Sequence, residues 1–157
     1  MRFVVLIIIA TALAVLQYSW FGAYPAAPNL LLALAAWAMV DGTQQGVIPR
    51  AWVIGTIADV FDPGSVVFHA LTFITLAIIY LPIRSLIFRS RMTGWASWAF
   101  IATILVHLCD GWIAGFGDGS GWNMIFSAMG TAMVAVAFGW LLKGLPEVLQ
   151  PVGKGGA

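Results

Sequence analysis

Long apolar runs alternate with short polar breaks along the chain, and six of the runs read as helices. The first, Phe3 to Leu16, is a charge-free apolar run after Arg2 and continues through Gln17 and Tyr18 to Trp20. An aromatic ending of that kind suits a retained membrane helix whose end lies at the interface. The alternative is a secretory signal core cleaved near Ala10, Ala12 or Ala14, which leaves the rest of the pattern unchanged. Tyr24 to Asn29, YPAAPN, is a loop, because its two prolines restrict the backbone and disfavour helix at the residues before them.

The second run, Leu30 to Val40, is short: its eleven residues reach only ~17 Å against a hydrocarbon core of ~30 Å. Val47 to Val60 has the same shortfall and carries Pro49 and Arg50 in its first turn. Joined by the polar DGTQQG of Asp41 to Gly46, these two segments read either as a pair of short crossings or as a hairpin that enters and returns. Val66 to Phe88, with a kink expected at Pro82, Trp95 to Ile113 and Trp122 to Leu142 are each of spanning length. The last two are separated by a glycine-rich loop over 115–121. The expectation is an all-α integral membrane protein of about six transmembrane helices, two of them short. It forms one polytopic domain over residues 1–143, followed by a short cytoplasmic tail over 144–157.

Composition strengthens this reading. Hydrophobic residues make up 62% of the 157 positions, charged residues 8%, and mean hydropathy is +0.99. A soluble domain carries about 25% charged residues, so the bilayer is the expected solvent. A net charge of +1 argues against a nucleic-acid partner, which calls for a basic face. The single Cys109 excludes an intramolecular disulfide. With both termini cytoplasmic, Arg2, Arg50, Arg84, Arg89, Arg91, Lys143 and Lys154 all fall on the cytoplasmic side, and Asp59, Asp62, Asp110 and Asp118 lie toward the other. That asymmetry satisfies the positive-inside rule.

The candidate chemistry is a handful of polar residues. Asp62 precedes Pro63 and Gly64, which suits an N-cap for the fourth helix. Asp59 sits at a depth where a carboxylate is expected to face inward with a partner, and His69 is the expected partner, two turns into the next helix. His107 and Asp110 are three residues apart, hence on one face and able to hydrogen-bond. The five residues Asp59, Asp62, His69, His107 and Asp110 form a candidate cluster with three readings: a structural lock between helices, a partner or ligand site, or a metal or proton-transfer site. The first is favoured, since neither pair has the spacing of a zinc motif. No nucleophile motif, phosphate loop or nucleotide fingerprint is present, so neither enzymatic activity nor a cofactor is expected. Ala10 and Ala14 make a small-xxx-small pair that would let helices approach closely.

Between Pro28 and Leu71 the chain resembles the rod shape-determining protein MreD family of small bacterial membrane proteins. APNLLLALAAWAM is similar to the family's Pro-Asp/Asn-Leu-Leu-Leu segment, and GTIAD followed by HAL resembles its Gly-x-x-x-Asp and downstream Gly-x-His-Ala-Leu pattern. Gly55, Asp59 and His69 match. Ser65 and Val67 stand where the family usually has Pro and Gly, and Trp52 where a small residue is common, which marks a divergent member. The resemblance implies a non-enzymatic component of the elongation machinery in the bacterial cytoplasmic (inner) membrane, acting beside MreC, the MreB filament, a RodA-type glycosyltransferase and a penicillin-binding transpeptidase. It also supplies a runner-up, since the family looks related in fold to the substrate-binding subunits of energy-coupling-factor vitamin transporters. In those proteins, first-helix alanine patterns like Ala10 and Ala14 contact the transporter.

Overall fold

The computed structural model describes residues 2–22, 24, 26–42, 44–62, 67–87, 91–114 and 120–143. Among these residues there are six α-helices and no strand: α1 (Arg2–Leu16), α2 (Leu30–Val40), α3 (Val47–Phe61), α4 (Phe68–Ile87), α5 (Arg91–Ala114) and α6 (Ser120–Lys143). A π-helical segment, Gln17–Phe21, extends α1, and a 3₁₀ turn, Gln44–Gly46, leads into α3. Among the described residues three stretches are long and apolar enough to cross a membrane, namely Phe3–Phe21, Met92–Trp112 and Gly121–Leu142. Exposed tryptophans mark the ends of α6, Trp122 near its start and Trp140 near its finish. The 18 intervening steps correspond to ~27 Å, close to the thickness of a hydrocarbon core.

The short second segment has a different role from the long ones. Ten of the eleven residues of α2 are buried, and it packs against every other α-helix. A helix apolar on all sides is the centre of its fold. Its length follows from where it starts. Asn29 caps it, accepting from the Leu32 N–H through Oδ1 at 2.8 Å. The Asn29 N–H in turn donates to Thr131 Oγ1 at 2.9 Å, half-way along α6. Ser127 donates to the Ala27 carbonyl at 2.8 Å, and Gln17 Oε1 accepts from the Leu31 N–H at 3.2 Å. Irregular backbone inside an apolar body must find such partners. With them, the α1–α2 connection is seated beside the middle of α6, and α2 needs only the remaining distance.

At its other end α2 meets the arginines. Arg84 donates to the Gly42 carbonyl at 3.1 Å, and Arg50 Nη1 lies 3.5 Å from the Ala38 carbonyl. Cations suit the negative end of a helix dipole. Aromatic packing fills the neighbouring core: the Trp98 indole donates to Met39 Sδ at 3.2 Å, and its ring lies 5.1 Å from that of Tyr80. Trp95 packs directly against Gly139, where an added Cβ would collide with the indole ring.

Several expectations are corrected by these bounds. α4 starts at Phe68, not Val66, and runs through Pro82 to Ile87. Ser120 and Gly121, placed in a glycine-rich loop by composition, already belong to α6. The small pair Ala10 and Ala14, expected to let helices approach closely, is not among these corrections: both residues are fully buried in the chain's own core. Asp118, Arg89, Lys154, Pro63, Gly64 and Ser65 lie outside the described residues, as does the 144–157 tail.

Candidate functional site

Asp59 is the last inward-facing polar residue of α3, one turn after Gly55. At Gly55 the two helices come together so closely that a Cβ would stand 2.6 Å from Ala70 Cα and 2.8 Å from the His69 carbonyl. This approach brings the Asp59 carboxylate onto the first turn of α4. Its Oδ1 accepts from the His69 N–H at 2.8 Å, and its Oδ2 accepts from the Ala70 N–H at 2.9 Å. The first N–H groups of a helix have no partner within it. Here a side chain from the preceding helix satisfies two of them, and its negative charge complements the helix N-terminus.

His69 completes the unit. Its Nδ1 lies 3.0 Å from Asp59 Oδ1 and its Nε2 4.0 Å from Asp62 Oδ2. Edge-on contacts with Phe68 and Phe73, ring centres 5.7 and 6.3 Å away, fix the imidazole plane. Asp59 and His69 are therefore partners, and the carboxylate also caps the helix that carries the histidine.

Two details differ from the sequence expectation. Asp62 is the C-cap of α3, with its N–H donating to the Ala58 carbonyl at 3.0 Å, and does not begin α4. His69 is the second residue of α4, not two turns inside it, because the helix starts late. On α5, His107 and Asp110 share a face, yet no hydrogen bond joins them. Asp110 lies within Coulombic reach of His107, His69 and Asp62. Tyr18, in the π-helical segment, lies within reach of Asp62 and Asp59 and stacks on Phe61, with ring centres 6.4 Å apart. The π turn that aims Tyr18 inward has no sequence signature, so this neighbour is legible only in the structure. Among the described residues no group of three or more His, Cys, Asp or Glu side chains is arranged to hold a metal.

Val67, immediately before α4, has φ of 65°. A β-branched residue in that left-handed region is a true outlier, at a cost of roughly 1–3 kcal/mol. The strain is held by what surrounds it: the Leu71 N–H donates to the Val67 carbonyl at 3.1 Å, and Asp59 grips the backbone N–H groups of His69 and Ala70, two and three residues on. Glycine adopts this conformation without steric cost. Val67→Gly is accordingly expected to raise the melting temperature in detergent, by about 2–4 °C for a gain of about 1 kcal/mol. A fall would show that the left-handed turn is absent.

Comparison with known proteins adds no relative: no protein-family model, curated protein or solved structure matches this chain.

Proposed function

We propose that this chain is a non-enzymatic membrane component of the bacterial cell-shape and elongation machinery, a divergent protein of the MreD type. It would help organise peptidoglycan synthesis through contacts with other membrane proteins. One observation carries the reading. The residues that match the family pattern, Gly55, Asp59 and His69, are the ones that form a single contact unit between α3 and α4. At Val67, where the family usually has glycine, the backbone keeps a glycine conformation. The matched residues, spread over fifteen positions, thus act as one device, and the left-handed backbone at the position where the family pattern has glycine supports the reading.

In this reading all six helices lie in the cytoplasmic membrane, α2 occupying its inner half beyond the Ala27–Asn29 loop, with the arginine end of α2 cytoplasmic and the Asp59–His69 end outside. The runner-up, a substrate-binding subunit of an energy-coupling-factor vitamin transporter, draws on the gathering of Asp62, His69 and Asp110 at one end. Against it stands the burial of Ala10 and Ala14, which leaves that pair no surface to offer a coupling protein.

One set of preparations tests both readings. In a Cys109→Ser background, a cysteine replacing exposed Tyr24 should react with an impermeant thiol reagent on intact cells, and one replacing exposed Gln44 should not. Crosslinking in native membranes should give an adduct with an elongation protein such as MreC, while a panel of water-soluble vitamins leaves the melting temperature unmoved. A ligand at a hundredfold excess over its dissociation constant adds about 2.7 kcal/mol, so a clear rise with one vitamin, joined to crosslinks only to a transporter, would overturn the proposal.

A further inference from the structure

Positive charge gathers at one end of the bundle. Arg50 and Arg84 converge on the turn that ends α2, α5 begins at Arg91 and α6 finishes at Lys143. Tyr18 stacks on Phe61, so α1 and α3 finish together, and Arg2 at the start of α1 belongs to the same end. Among the described residues Asp41 is the one acid there, while Asp59, Asp62 and Asp110 lie at the other end with no lysine or arginine beside them. The depth of the basic end follows from the core. The Trp98 indole reaches Met39 and Trp95 packs on Gly139, which sets the end of α2 level with the last turns of α6. Trp140 is exposed at that level, and an exposed tryptophan near a helix end marks the membrane–water interface. Arg50 and Arg84 therefore stand at the depth of phospholipid headgroups.

We infer that the corner where α2, α3 and α4 meet binds the phosphate of an anionic phospholipid from the adjoining leaflet, with Arg84 meeting the phosphate and Arg50 adding its charge. Arg84 Nη1 donates to the Gly42 carbonyl at 3.1 Å and Arg50 Nη1 lies 3.5 Å from the Ala38 carbonyl. Each guanidinium is thus held in place before a ligand arrives, which lowers the ordering cost of binding. A guanidinium is a planar fork of several N–H donors, and Arg84, only partly buried, gives one of them to Gly42 and can turn others to a phosphate. Two arginines against Asp41 leave the corner positive, with Arg91 and Lys143 at neighbouring helix ends. The surroundings favour a lipid over an acidic protein segment. On the hydrocarbon side of the arginines, exposed Trp52 on α3 and exposed Ile78 and Ile79 on α4 continue the surface with apolar side chains, which suit an acyl chain. The inference stands apart from the elongation-machinery reading, since it needs only that this end of the bundle meets a leaflet.

The test uses the full chain in mild detergent at low ionic strength, with phosphatidylglycerol or phosphatidylcholine added at equal concentration. The phosphate of the second lipid is offset by its own choline, so it serves as the control. One arginine beside an anionic headgroup strengthens binding about fivefold, and the pair predicts a preference for phosphatidylglycerol of roughly twenty-five-fold. Native mass spectrometry reads it as lipid retained on the folded protein, and thermal unfolding as a larger rise in melting temperature. The preference should drop about fivefold in Arg50→Gln, disappear in the Arg50→Gln/Arg84→Gln double variant, and survive in Lys143→Gln. Because the arginines also cap α2, Arg84→Lys is measured beside them: it keeps the charge and should keep most of the preference, and the wild-type comparison of the two lipids stands whether or not the double variant folds. Equal retention of both lipids by the wild type, a preference that outlasts both arginines, or an equal drop in Lys143→Gln would overturn the site. So would displacement of phosphatidylglycerol by a glutamate-rich peptide of matched charge, which would assign the corner to an acidic protein segment.

Discussion

Asp59→Ala is expected to destabilise the protein in detergent by roughly 2–4 kcal/mol, the cost of stranding two backbone N–H groups and one imidazole N–H at a largely buried helix start. The three groups are those of His69, Ala70 and the His69 ring, at 2.8, 2.9 and 3.0 Å. Asp59→Asn separates their contributions. An amide caps a helix nearly as well as a carboxylate, but it offers one acceptor oxygen where the native residue uses two. Its loss should fall between those of the wild type and the alanine variant. His69→Ala removes only the ring and leaves both backbone caps intact, so it should cost less than Asp59→Ala. Thermal or denaturant unfolding of the three variants and of the Asp59→Ala/His69→Ala double variant checks the ordering. Additive losses from the two alanine changes would mean that the side chains do not interact.

How much of this was legible beforehand depends on whether a feature is local. The span of α2, Leu30–Val40, is readable because its apolar run is bounded by Asn29 and Asp41. The pairing of Asp59 with His69 is equally readable, since a carboxylate at that depth requires a partner. What the pattern could not give is where α2 sits. Its burial on all sides depends on Ser127 and Thr131, a hundred residues away, which hold the loop at Ala27 and Asn29. Isolated Ser and Thr within the apolar run of α6 were the available signal, and by themselves they do not name a partner. The start of α4 was misplaced for a related reason. Asp62-Pro63 is a sound local cap, but the cap in use comes from the preceding helix, made possible by the absence of a side chain at Gly55. Sequence rules for helix ends consider the residues flanking the helix, and a cap supplied in three dimensions escapes them.

That absent side chain sets the sharpest expectation. Glycine inside a helix is worth about 1 kcal/mol less than alanine, so propensity alone predicts that Gly55→Ala stabilises the protein. Packing predicts the opposite sign and a larger effect. The new Cβ would stand 2.6 Å from Ala70 Cα, 2.8 Å from the His69 carbonyl and 2.9 Å from the Ala70 nitrogen. All three are backbone atoms, so no rotamer change relieves the contact and α3 must move away from α4. Overpacking of this kind costs about 1–3 kcal/mol. The displacement also draws Asp59, one turn along the same face, off the N–H groups it caps. The combined loss should outweigh the propensity gain and lower the melting temperature clearly. Gly121, with nothing within 4 Å of its added Cβ, is the internal control, and Gly121→Ala should be neutral or slightly stabilising. Trimming Ala70 to glycine should not rescue Gly55→Ala, because the collision is with the Ala70 backbone and not its methyl group. If Gly55→Ala instead behaves like Gly121→Ala, the two helices are not in contact at this point, and the account of Asp59 as a cap supplied across that contact fails with it.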